Sequence, residues 1–313
     1  SWDPENAPKI HIPNLVDPKT GEPIPEYPSL TDRYCRFYNE VAKRVCEEMP
    51  DRYVGAYAYS RYRTPPVAAR KIEPNIIIGF VGLDEDMIRE WGEIAPVLLI
   101  RPNTLIDKMT FGMPRNYAPY MAERISFAVE HNARAFDFDS CIGNWGTQGL
   151  VYYVTAKMLW EPEADVQALT EDYCQAAYGR GAAAMQEYYA ALADLDARLR
   201  AEGKYVSRKV NAHLVLPEYY TPDLFAELQQ SIDSAKQAIG PTDECARARV
   251  ELAEEGLTYG RKLIAVLRAS KQATSKSDLV KYQAAKKDFE ELKRKLVLSW
   301  SVGIVANQRF LWD

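Results

Sequence analysis

Cysteine and histidine are scarce in this chain. Its 313 residues hold five Cys and three His. Five cysteines are too few, and odd in number, for a disulfide framework. No CxxC pair occurs, and His11, His131 and His213 are too scattered for a metal-ligand spacing. No metal and no other cofactor is therefore expected. Long apolar runs are also missing. No stretch of ~18 uninterrupted apolar residues exists, so no membrane span is expected. Positive charge is not in excess either. The formal net charge is -5, which offers no basic footprint for nucleic acid. There is no P-loop, GxSxG, HExxH or Cys-His arrangement. That removes the familiar signatures of phosphate cradles, serine or cysteine nucleophiles and zinc hydrolases. Ser1-Trp2-Asp3-Pro4 is not a signal peptide, and no Met begins the chain. The reading frame is therefore expected to start upstream.

What is present is ordinary globular material. The chain is 47% hydrophobic and 27% charged. Its length allows two domains or one barrel, with a large buried core in either case.

Three regions are expected. Residues 1–30 form a proline-rich arm or barrel loop, with seven prolines before Leu30. Proline removes backbone donors and disfavours helix in the residue before it. Residues 31–160 alternate between strand-like and helix-like patterns. Residues 161–313 read as helix almost throughout.

In the middle region Thr31 is read as an N-cap. The helix behind it would place Tyr34, Phe37, Tyr38, Val41 and Val45 on one face. Strands are expected at Tyr53–Tyr59, Asn75–Val81, Val97–Ile100 and Arg134–Asp139. Helices are expected at Leu83–Ile94, Pro119–His131 and Gln148–Trp160. Short apolar strands separated by helices indicate βα units and a parallel sheet. An open doubly wound sheet stays possible. A nucleotide-binding version is not expected, because no glycine-rich loop follows any strand.

In the last region the expected helices are Ala164–Tyr178, Ala182–Ala201, Pro222–Ile239, Asp243–Ala273 and Lys276–Trp300. Gly179, Gly203 and Gly240 stand where helices should stop. Gly256 and Gly260 interrupt the fourth and mark close packing or a bend.

Sites on parallel sheets form at the C-terminal ends of strands. That rule selects Tyr59 and Arg61 after the first strand, Arg101 and Asn103 after the third, and Asp137, Asp139, Asn144 and Trp145 around the fourth. Asp137 and Asp139 lie two apart and should share a face. They are the candidates for acid and base chemistry, or for accepting substrate hydroxyls. Their structural alternative is an ion pair with Arg101 or Arg134. Trp145 is expected on a glycine-flanked loop, where an indole can carry a sugar face. Arg61, Arg101, Tyr59, Asn103 and Asn144 are the candidate substrate contacts. Tyr57 and Tyr59 read by default as barrel core, with Tyr59 the better site candidate because it is nearer the strand end.

The segments Thr31–Ala42, Pro50–Ser60, Thr64-Pro-Pro66, Gly149–Trp160, Glu161–Val166 and Ala177-Tyr-Gly179 follow in a characteristic order. In that order the chain resembles the bacterial glycosidase-like family called domain of unknown function 4838. The resemblance covers about residues 31–200. It implies the C-terminal half of a (β/α)8 barrel of TIM type, with a helical C-terminal domain. It implies a glycoside hydrolase, or a fragment of one, acting on polysaccharides or N-glycans. The enzyme would be N-acetylglucosaminidase-like or glucuronidase-like. Hexosaminidase-type relatives use an Asp-Glu pair and the substrate's own acetamido group, so the resemblance also admits substrate-assisted chemistry. The missing barrel half, including that pair, would precede Ser1. Family habit also implies export in a bacterium.

The partners expected are a carbohydrate substrate and the N-terminal part of the same protein. The competing expectation is a non-catalytic carbohydrate-binding or scaffold module. A third is a helical protein-interaction domain.

Overall fold

A computed structural model of the chain describes residues 7–10, 27–103, 112–138, 145–204 and 212–298. Two two-residue strands open it, β1 (Lys9–Ile10) and β2 (Tyr27–Pro28), paired antiparallel. The rest of the expected proline-rich arm, residues 1–6 and 11–26, lies outside the described residues. α1 (Thr31–Glu48), β3 (Val54–Ala58), β4 (Ile76–Phe80), α2 (Glu85–Ile94), β5 (Val97–Ile100), α3 (Ala118–Glu130) and β6 (Ala133–Phe136) follow. Then come α4 (Trp145–Trp160), α5 (Val166–Tyr178), α6 (Ala182–Ala201), α7 (Ala212–Tyr219), α8 (Pro222–Ile239), α9 (Glu244–Gln272) and α10 (Lys276–Leu298).

The chain divides into two compact units. One comprises residues 1–103 and 124–139, the other 104–123 and 140–313. α/β followed by helix is therefore the right description of the chain.

In the first unit the sheet order is β3-β4-β5-β6, parallel throughout. Each new strand adds on the same side as the one before. The strands alternate their side chains between two faces. Ala56, Ala58, Ile76, Ile78, Phe80, Leu98 and Ile100 share the buried face. They form one core with Cys35 and Ala42 of α1, Ile88 and Trp91 of α2, and Ala128 of α3. All three helices thus serve the same face. A doubly wound sheet would have put helices on both.

Local chemistry explains the ends of these elements. The Asp84 carboxylate caps α2 by accepting from the Met87 N–H at 3.1 Å. The Trp91 indole N–H, buried in that core, donates to the Arg63 carbonyl. α1 differs from its sequence pattern. Leu30 is its N-cap, and Thr31 is the first helical residue. The buried stripe is Thr31, Asp32, Cys35 and Ala42, while Phe37 is 61% exposed. Small side chains on α1 meet small ones on β3, which favours them over the aromatics for the inward face.

In the second unit the glycine stops act as expected. Gly179, Gly203 and Gly240 all have positive φ. Gly256 and Gly260 prove to be packing sites. A Cβ on Gly256 would lie 2.4 Å from Thr147 Cγ2, and one on Gly260 would lie 2.8 Å from Pro114 Cδ. α7 is a helix the pattern does not predict, because Pro217 sits inside it. A buried ion cluster anchors this unit. Asp196 on α6 accepts from Arg115 Nε and from Arg200 Nε, at 2.5 and 2.6 Å. Beside it the Tyr220 hydroxyl donates to the Pro114 carbonyl.

Candidate active site

Among the described residues of this unit, none of the core helices covers the sheet's second face. Gly55 and Tyr57 on β3 are exposed, and Ile77, Val97 and Leu99 are only partly buried. The strand register arranges this face in layers. Tyr57 pairs with Gly79, Gly79 with Leu99, and Leu99 with Ala135. One pleat further toward the C-terminal ends stand Tyr59, Val81, Arg101 and Asp137. Three backbone hydrogen bonds extend the ladder to that level. The Val81 N–H donates to Ala58 O, the Arg101 N–H to Phe80 O and the Asp137 N–H to Ile100 O. Side chains two apart share a face. Tyr59, Arg101 and Asp137 therefore rim the open face at its C-terminal lip.

Arg101 and Asp137 form an ion pair there, Nη1 to Oδ2. Neither is sealed off: the side chains are 23% and 41% exposed. The pair is the local salt bridge that the sequence offered as the structural alternative. β6 ends at Phe136, so Asp137 lies just past the strand rather than within it.

Below the lip is a pocket lined by Gly55, Ala56, Tyr57, Ile77, Gly79, Leu99 and Asp137. Its lining is apolar except for one carboxylate. Tyr57 forms part of the floor. Its ring lies over Gly79, where a Cβ would meet Tyr57 Cδ1 at 3.0 Å. Tyr57 is 48% exposed on this face. Strand parity puts it on the uncovered face. Gly79 inside an apolar strand was the available signal, because such glycines mark a close approach.

Aromatic residues continue around β3. Tyr34 and Tyr62 stack with centroids 4.1 Å apart. The Tyr38 hydroxyl donates to the Tyr57 carbonyl at 3.3 Å. Burial pushes the Tyr38 phenol up, with Tyr62, Tyr34 and Cys35 adding to the effect, so it stays a donor.

The other candidates are dispersed. Tyr59 is 50% exposed and precedes a 3₁₀ turn, Ser60–Tyr62, that carries the exposed Arg61. Asn103 lies two residues beyond Arg101 on the loop, with its Oδ1 buried and unpartnered among the described residues. Trp145 is corrected: it is the first residue of α4 in the second unit, not a loop residue. Its indole is 59% exposed and meets Tyr152 edge-on at 5.2 Å. Gly146 and Thr147 are buried, Thr147 against Gly256 of α9, so packing rather than propensity begins the helix three residues before Gln148. Asp139 and Asn144 lie outside the described residues. No cluster of His, Cys, Asp or Glu fit to hold a metal ion occurs among the described residues. No helix among them is long and apolar enough to cross a membrane.

Residues 16–191 match the family model described as domain of unknown function (DUF4838). No curated protein and no solved structure matches the chain.

Proposed function

The chain belongs to the DUF4838 family, which spans more than half of it, and on that premise we propose that its sheet is the C-terminal half of a (β/α)8 barrel that hydrolyses glycosidic bonds. The observation that carries the reading is the C-terminal lip. Tyr59, Arg101 and Asp137 stand there in one register layer, on the face that no helix of the core covers. A parallel sheet with its core helices on one side has the layering that a barrel wall requires. Its bare face would be the barrel's interior. Its outer strands β3 and β6 pair with no further strand among the described residues. Four more βα units would pair with both.

The substrates proposed are polysaccharides or N-glycans, in an exported bacterial protein. Asp137 and Asp139 are the proposed carboxylates of this half. A glycosidase needs two carboxyl groups across the scissile bond, roughly 5–9.5 Å apart. The second would come from Asp139 or from the facing half.

One observation favours the non-catalytic reading. Among the described residues Asp137 is the only carboxylate in the pocket lining, and Arg101 already engages it. Such a pair suits holding hydroxyls better than delivering a proton.

The test is to express the chain together with the reading frame upstream of Ser1 and assay it on N-glycans and plant glycans. Cleavage that falls at least ~100-fold in Asp137→Asn or Asp139→Asn supports the hydrolase. Binding without turnover supports the carbohydrate-binding module. Neither binding nor cleavage sinks both.

A further inference from the structure

We infer that Arg63 binds a small carboxylate at the C-terminal end of the sheet. The site is separate from the pocket below the lip, and none of that pocket's lining residues takes part.

Arg63 follows β3, directly after the 3₁₀ turn Ser60–Tyr62. Its backbone is held from two sides. The Arg63 N–H donates to Ser60 O at 3.3 Å, and the Arg63 carbonyl accepts from the Trp91 indole at 2.8 Å. The side chain lies over the ring of Phe80, with Cζ 5.1 Å from the centroid. Phe80 is the last residue of β4 and is fully buried. An aromatic face attracts a guanidinium and fixes its place, but it leaves the N–H donors unused.

Those donors have no acceptor. Among the described residues the Arg63 guanidinium makes no hydrogen bond and no ion pair, and its Nε is buried without a partner. Arg115, Arg124 and Arg200 are also withdrawn from solvent, and each of them meets a carboxylate. An N–H taken out of water without an acceptor is unfavourable, and such groups are rare. Arg63 keeps part of its surface in solvent. With Nε sealed, Nη1 and Nη2 are the donors it can present. Two parallel N–H groups match the two oxygens of a carboxylate.

Gly82, two residues past β4, keeps this fork clear. Its φ is +144°, and a Cβ there would stand 2.9 Å from Arg63 Nη2. Glycine adopts positive φ at little cost, and other residues do not. A side chain at this position would strain the turn and press on the guanidinium.

The charges nearby favour a monoanion. Arg63 supplies one positive charge. The arginines beside the start of α2 are already engaged, Arg124 by Glu85 and Arg89 by Asp86. The Asp84 carboxylate, two residues past Gly82, accepts from the Met87 N–H and pairs with no cation among the described residues. A carboxylate is matched by Arg63 alone. A phosphate dianion would bring a second charge toward a segment that is already acidic.

The test uses phenylglyoxal, which modifies accessible guanidinium groups, on the 313-residue chain, with each arginine followed by peptide mass spectrometry. Benzoate is the carboxylate probe and benzyl alcohol its neutral counterpart. Sodium chloride holds the ionic strength equal in every arm. Benzoate is expected to slow modification of Arg63 at least ~5-fold, as a charge-assisted fork should. Benzyl alcohol leaves the rate unchanged, and inorganic phosphate at the same concentration protects less than benzoate. Arg52, whose side chain is 68% exposed, serves as the internal control and is not protected. The Trp91 indole N–H resonance gives a second readout, because that group is bonded to the Arg63 carbonyl. It should move with benzoate in the parent and at least ~5-fold less in Arg63→Lys, which keeps the charge and loses the fork. An Arg63 that resists phenylglyoxal without benzoate overturns the inference. So does equal protection of Arg63 and Arg52, protection by benzyl alcohol, or stronger protection by phosphate. A Trp91 shift that persists in folded Arg63→Lys does the same. None of these outcomes bears on the glycan reading, which rests on other residues.

Discussion

The aromatic ring of Tyr57 occupies the space above Gly79. A Cβ on Gly79 would stand 3.0 Å from Tyr57 Cδ1 and 3.2 Å from Cε1. The glycine thus sets the position of the ring, and the ring forms the pocket floor. Gly79→Ala should push the ring outward at modest cost, about 1 kcal/mol, because one side of it faces solvent. Gly79→Ile should cost more, within about 1–3 kcal/mol. Urea unfolding measures the cost, and the near-ultraviolet tyrosine signal reports the ring.

Gly92 is a stricter case. It lies in α2, and a Cβ there would fall 2.2 Å from the His131 carbonyl oxygen. That neighbour is backbone and cannot swing aside. Asn132 ties the same junction, its Nδ2 donating to Ala95 O at 2.9 Å. In an exposed helix interior Gly→Ala gains about 1 kcal/mol. Here Gly92→Ala should instead destabilise by about 2–3 kcal/mol. A denaturation midpoint equal to or above the parent's would contradict this.

Asp32 holds the loop after β3. Its buried carboxylate accepts from the Ala68, Ala69 and Val67 N–H groups at 2.7, 2.5 and 3.3 Å. Asp32→Ala leaves those donors without their acceptor. A loss of about 1–3 kcal/mol is expected. Proteolysis within residues 64–72 should quicken in step, as read by mass spectrometry of limited digests.

Asp196 is the buried anion between two arginines in the helical unit. Removing one partner strands buried charge. Asp196→Asn should cost about 3–5 kcal/mol. The expected sign of a weakened helical unit is a lower thermal midpoint by circular dichroism. A midpoint unchanged by this substitution would show that the cluster contributes little.

Alkaline pH should weaken the fold. Burial pushes the Cys35 and Cys174 thiols up from 9.0 to about 12, with Asp32 adding to the effect on Cys35. Burial also raises the phenols of Tyr188 and Tyr220. The native state holds these protons longer than the unfolded chain. Their contribution is complete below pH 9 and declines as pH climbs toward 12. Each thiol accounts for up to about 1.4 kcal/mol per pH unit in that window. Urea midpoints at pH 7, 9 and 10.5 should fall, and less so in Cys35→Ala/Cys174→Ala. At pH 8 a thiol reagent should label the exposed Cys46 and Cys245 well before Cys35 or Cys174.

Much of this organisation was legible without coordinates. Val97–Ile100 and Ile76–Phe80 are continuous apolar runs, and only a buried parallel strand uses such runs between helices. Gly179 and Gly240 ended their helices because positive φ is nearly free for glycine. The C-terminal-end rule placed Tyr59, Arg101 and Asp137 near one another before their register was known. These features are local, or follow from topology alone.

Other features depend on what stands opposite. Phe37 and Tyr57 have the composition of core, yet both are exposed, while Cys35 and Ala42 are buried. Periodicity states that a helix or strand has two sides. It does not state which side meets a neighbour, because that depends on the size of the residues across the contact. Gly256 read equally well as a bend or a contact until Thr147 was found 2.4 Å from its missing Cβ. The sequence by itself determined most of the element types, though not α7 or the β1–β2 pair, together with the parallel sheet and the residues available at its strand ends. The tertiary structure alone decided that every helix of the sheet's core packs on one face. That leaves Asp137, Arg101 and Tyr57 on the other, because the register of the four strands, with its shift between β5 and β6 at Leu98/Leu99, brings these side chains to one face.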